Sequence, residues 1–116
     1  MAITEPFAVS ETITTTEWSL TTDTAGPDLN TDDGIYQVFL DLNALADGDV
    51  FAFRAYEKVQ TASTQRAFYR IDVSNAQGAE DNWPSPSFIL MHGWDFTLQK
   101  ITGTDRLIDS SVRKVA

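Results

Sequence analysis

The chain has no cysteine and only one histidine among its 116 residues. The first absence excludes disulfides and thiolate zinc sites, so stability must come from packing, hydrogen bonds or association between subunits. The second thins out the available chemistry. A nucleophilic triad needs Ser or Cys with His and an acid, and a catalytic zinc needs several His or acidic ligands at a defined spacing. No GxSxG elbow, HExxH pair, P-loop or GxGxxG is present. Basic residues are also few: eight stand against seventeen acidic ones, for a formal net charge of −9. That balance repels phosphate backbones and removes the counterion release that drives nucleic-acid binding, so nucleic acid is not an expected partner. No apolar run approaches the roughly 18 residues a membrane span needs, so no membrane is expected either. The opening MAITEPFAVSETITTTEW lacks the basic start and apolar core of a secretion signal, and the expectation is a product that stays in the compartment where it is made.

What the chain does contain is alternation. In IYQVFLDL, Tyr36, Val38, Leu40 and Leu42 point one way, while Gln37 and Asp41 point the other. In DVFAFRAYEKV, Phe51, Phe53, Ala55 and Val59 share a face, with Arg54, Tyr56 and Lys58 opposite. RAFYRIDV repeats the pattern with Ala67, Tyr69, Ile71 and Val73, and the spacing predicts that these two strands pair across TASTQ. Leu45 can plug the core from the turn NALADGD. SFILMH, DFTLQKI and DRLIDSSVRKV supply further strands, the last two joined at Gly103. AGPDLNTDDG (25–34) and SNAQGAEDNWPSPS (74–87) read as long loops, the second because Pro84 and Pro86 block ladder hydrogen bonds.

Six or seven strands and no helix longer than a turn define an all-β fold: a single antiparallel β-sandwich, jelly-roll-like, or a barrel. Residues 1–33 carry isolated apolar residues among Thr, Asp and Glu. They are expected to form an extended N-terminal arm and loop, which packs on the body of residues 34–116 or on a neighbouring subunit. Phe7, Val9, Ile13 and Trp18 on that arm, with Trp83 in the proline-rich loop, are the candidate interaction residues.

Three groups invite a chemical reading. DLNTDDG brings together Asp28, Asn30, Asp32, Asp33 and Gly34, but an EF-hand loop needs Gly at its sixth position and Glu at its twelfth, where this chain has Asp33 and Phe39. Asp and Asn also cap turns through neighbouring backbone, and that reading outweighs a weak calcium site. Asp47 and Asp49 around Gly48 are explained at least as well by turn chemistry as by paired carboxylates. Trp18, Trp83, Trp94, Tyr36, Tyr56 and Tyr69 could stack on sugar rings, with Trp83 the residue expected to be most exposed; most of the others fall on core faces. The histidine stands in FILMHGWDF, where His92, Gly93 and Trp94 read as a structural turn in which an imidazole satisfies free backbone. No catalytic residue, metal or cofactor is expected, and the chain reads as a non-enzyme.

TTTEWSL, TDDGIYQVFLDLNALADGD, YEKV, TQR, SFILMHGWDFTLQKITGTDR and the closing SSVRKV together resemble a group of small β-proteins encoded among the structural genes of tailed bacteriophages. The resemblance runs from about residue 12 to 115. It implies a virion setting and supplies no catalytic residues. Within that setting the expectation is a capsid decoration (cement) protein that binds and stabilises the head shell. Its partner would be the major capsid protein or another virion protein, it would be homo-oligomeric with a homotrimer favoured, and it would lie on the capsid surface after synthesis in the host cytoplasm. The alternatives are a tail, neck or fibre component, or a carbohydrate-binding β-sandwich module.

Overall fold

A strand that alternates apolar with polar residues buries one face only, and a sheet of such strands needs a second sheet to cover it. The computed structural model, which describes residues 2–78 and 80–115, shows how this chain meets that need. Among the described residues nine strands run in chain order: β1 (Ile3–Ile13), β2 (Trp18–Ser19), β3 (Gly34–Asp41), β4 (Val50–Glu57), β5 (Arg66–Ser74), β6 (Asn82–Pro84), β7 (Phe88–Leu90), β8 (Asp95–Thr102) and β9 (Arg106–Val115). The described residues contain no helix.

Every pairing is antiparallel, and the strands divide into two sheets. The first has the order β1-β9-β3-β6, with β7 on the same side of β3 as β6; the second has the order β2-β8-β4-β5. If β6 and β7 are counted as one interrupted strand, each sheet has four strands and the chain crosses between sheets in the order of a jelly roll, within the sandwich class the alternation predicts. The shortest dimension of the molecule, 20 Å, fits two layers about 10 Å apart with their outward side chains.

The core is filled from both sheets. Tyr36, Val38, Leu40, Phe88, Leu90, Ile108 and Val112 come from the first, and Phe51, Phe53, Ala55, Val73, Phe96 and Leu98 from the second. Leu45 closes one end from its turn, as its place between two strands predicts. At the β8–β9 turn, Gly103 has φ +97°, and a Cβ there would lie 2.7 Å from the Cα of Asp49, so only glycine fits.

Residues 2–33 pack on the body, one of the two places expected for them, and three other expectations are revised. β1 pairs with β9 over most of its length and β2 pairs with β8, because the scattered apolar residues of this stretch are the ones that complete both sheets. Val59 lies two residues beyond the end of β4 at Glu57 and is 87% exposed, because the chain leaves the strand, and its period of two, before reaching it. The loop at 74–87 contains a short strand, β6, ahead of the strand expected in SFILMH, which is β7. The two prolines interrupt this edge without abolishing it: the Ser85 hydroxyl accepts the Val38 N–H (2.9 Å), and the Ser85 N–H donates to the Val38 carbonyl (2.8 Å). Trp83 is half-buried, with its ring edge-on to Phe53 at 5.4 Å, because β6 turns it inward opposite Leu40.

Phe96→Ala is expected to destabilise the fold by about 3–5 kcal/mol, and Val59→Ala by less than about 0.5 kcal/mol. Urea unfolding monitored by tryptophan fluorescence checks both.

Candidate functional site

The histidine turn is built from backbone. The Glu57 carboxylate at the end of β4 accepts N–H bonds from Met91 (2.6 Å) and His92 (3.0 Å), and the Lys58 N–H donates to the His92 carbonyl (2.9 Å). Gly93 adopts φ +51° where a Cβ would press on the Lys58 stem at 3.1 Å, and the buried Trp94 follows it. His92, Gly93 and Trp94 therefore form the turn that their sequence suggests. Beside it lies an open hollow of about 380 Å³ lined by Leu29, Thr31, Lys58, Thr61, Met91, His92 and Gly93. The imidazole Nδ1 is 3.5 Å from the Thr61 hydroxyl, and the Glu57 carboxylate is engaged by two backbone amides. The lining offers a place for an apolar side chain and no acid to pair with the imidazole.

The acidic loop is occupied by its own chain. The Asp28 carboxylate accepts bonds from the Thr22 and Thr24 hydroxyls. Asp32 accepts from Lys114 Nζ (3.0 Å) and the Tyr36 hydroxyl (3.1 Å), which hold its carboxyl below the usual range. The Asn30 amide donates to the Trp94 carbonyl and to Thr21. Among the described residues no group of three or more His, Cys, Asp or Glu side chains is placed to hold a metal ion. Asp95, buried at the start of β8, accepts from the Thr21 hydroxyl (2.7 Å) and the Asp28 N–H (2.8 Å), and burial raises its pKa. On the outer side of the second sheet the Glu17 carboxylate is bonded by Tyr56 and Thr97, and burial followed by that bond pushes the Tyr56 hydroxyl up to about 12.

At the opposite end, Asp47 and Asp49 divide in role. Asp47 takes a backbone bond from Ala76 (3.3 Å). Asp49 is buried and accepts from the Ala46 N–H (2.9 Å), the Thr104 N–H (3.0 Å) and Arg106 Nε (2.7 Å), tying two loops to the start of β9. The two backbone bonds and then the guanidinium lower its pKa to about 2.

The candidate interaction residues lie inward. Val9 and Ile13 are core, Phe7 is half-buried and edge-on to Trp94, and Trp18 donates its indole N–H to Asp23 (2.9 Å). Strand pairing used these side chains to close the sandwich, so neither Val9 nor Ile13 is available to a partner. Tyr36 and Trp94 are core as well, which takes them out of any sugar platform.

The most distinct exposed surface is on the outer side of the first sheet. Ile3 is opposite Val115, Val115 is opposite Ile35, and Ile35 is opposite Ile89, giving one apolar row across β1, β9, β3 and β7. Ile3, Ile35 and Ile89 are 69%, 41% and 82% exposed. Next to the row, the Arg113 guanidinium lies 3.9 Å over the Phe39 ring, beside a hollow of about 200 Å³. A single exposed isoleucine is ordinary, whereas an aligned row is the kind of patch that marks an interaction site. Sequence reasoning missed it, although IYQVFLDL carried the signal: Ile35 and Phe39 are apolar at positions where a half-solvated strand calls for polar residues. Compared with family models, curated proteins and solved structures, the chain matches none.

Asp49→Asn is expected to lose acid sensitivity. A lowered folded-state pKa contributes stability that is complete above about 4 and lost as pH falls through about 2. Urea midpoints measured from pH 5 to 2 should fall less steeply in the variant than in the parent, from a lower starting value.

Proposed function

We propose that the chain is a structural protein of a tailed-phage virion, a decoration protein that attaches to the major capsid protein on the head surface through the outer face of its first sheet. The apolar row of Ile3, Val115, Ile35 and Ile89 carries this reading, because it is surface the protein's own core does not use. Three further features support it. The sequence resembles phage structural β-proteins, jelly rolls are a recurrent architecture of capsid and lectin domains, and the acidic balance of −9 suits a protein that must stay soluble until it docks. A sugar-binding role has weaker support, since Trp83, its chosen anchor, rests on Phe53.

Co-sedimentation with expanded, undecorated heads of the encoding phage tests the proposal. The parent protein is expected to pellet with heads. Ile35→Asp and Ile89→Asp should each weaken binding at least about tenfold while leaving thermal stability close to that of the parent, because both positions are exposed. Failure of the parent to bind heads, or undiminished binding by both variants, would rule the proposal out.

A further inference from the structure

The four ends of the two sheets are not alike. β1 carries Pro6, a register break between Thr4 and Phe7, and Glu11 on its inward-facing row. β2 has two residues, and β6 and β7 have three each, with Pro84 ending β6 and Pro86 between the two. Short length, proline, bulges and inward charge are the usual devices that stop a sheet edge from recruiting another strand. β5 has none of them over most of its length. It runs nine residues without proline or glycine, ends the second sheet, and is in regular register with β4 from Tyr69 to Ser74. Its inward row of Tyr69, Ile71 and Val73 is apolar, yet Tyr69 and Ile71 remain only half-buried.

The strand is also complementary to itself. If two copies of β5 lie antiparallel about a two-fold axis at Ile71, residues equidistant from Ile71 face each other. Arg70 then stands opposite Asp72 of the partner subunit and Asp72 opposite Arg70, while Tyr69 meets Val73 and Ile71 meets Ile71 on the core side. Within one copy, Arg70 and Asp72 pair with each other at 2.9 Å with both side chains nearly half exposed, an arrangement that contributes little to folding and is free to be exchanged for cross-subunit pairs. Arg54, opposite Arg70 on β4, does not compete, because it is held by Gln99 (2.8 Å) and lies 3.7 Å from Glu17.

We propose that the β5 edge is a homodimer interface, which joins the four-stranded sheets of two copies into one of eight strands. The contact is isologous and closes at two copies, whereas a cyclic trimer needs a heterologous one. It uses the sheet opposite to the apolar row, so it stands or falls independently of head binding.

Sedimentation equilibrium over micromolar to millimolar concentrations provides the test. The parent protein is expected to dimerise. Arg70→Asp and Asp72→Arg each place like charges opposite one another and should raise the dissociation constant about tenfold or more. The doubly exchanged Arg70→Asp/Asp72→Arg protein should recover parental affinity. An equimolar mixture of the two single variants should form a heterodimer as tight as the parent, since every charge again meets its opposite. Circular dichroism confirms that each variant is folded. A parent that stays monomeric or forms trimers, single variants of unchanged affinity, or a double variant and mixture that both fail to recover dimer would overturn the assignment.

Discussion

Phe96 stands at the junction on which both sheets depend. Its ring lies 5.9 Å from Phe53 in its own sheet, 5.8 Å from Phe88 across the sandwich and 5.5 Å from Trp94, which in turn packs on Tyr36 at 4.3 Å. Without disulfides, this contiguous set of rings is where the largest burial per residue is found, and aromatic pairs add to it through their geometry. The two polar atoms at the edge of the set go to one place. The Trp94 indole N–H and the Tyr36 hydroxyl both donate to the Asp32 carbonyl, at 2.9 and 2.8 Å. Packing of the rings thereby fixes the loop that enters β3.

The acidic residues then serve the loops. Asp95 gathers the stretch around Thr21 and Asp28, Asp49 gathers the turns at the far end, and Glu57 holds the histidine turn. Each is a carboxylate placed against backbone N–H groups that the strands leave unpaired, which is how a long-looped sandwich satisfies its polar atoms without water at every site. A composition that looks like a reservoir of metal ligands is largely a set of loop staples. The surfaces left over for partners are strand faces and strand edges, and both interaction surfaces proposed for this chain are of that kind.

Strand period and burial were legible wherever a side chain's fate depended on its own strand. Tyr36, Val38, Leu40, Phe51 and Phe53 all lie where alternation puts them. Legibility failed where a strand end or a distant partner decided. β4 ends at Glu57 and leaves Val59 to solvent, and pairing with Leu40 drew Trp83 inward. For the N-terminal stretch the sparse apolar residues called for packing on the body or on a neighbour, and pairing with β9 and β8 is what chose the body. The outward row was concealed for a related reason. Ile3, Ile35, Ile89 and Val115 are far apart in the chain, and only the register of three separate ladders lines them up.

The sequence by itself determined an all-β chain with no disulfide, a strongly acidic balance and a turn at His92, because composition and a two-residue period are local properties. Tertiary structure alone decided which strands are neighbours, which apolar residues stay outside, and which edge is left bare. Those outcomes depend on hydrogen-bonded register between segments as much as a hundred residues apart, and nothing in a single strand records the register of its partner.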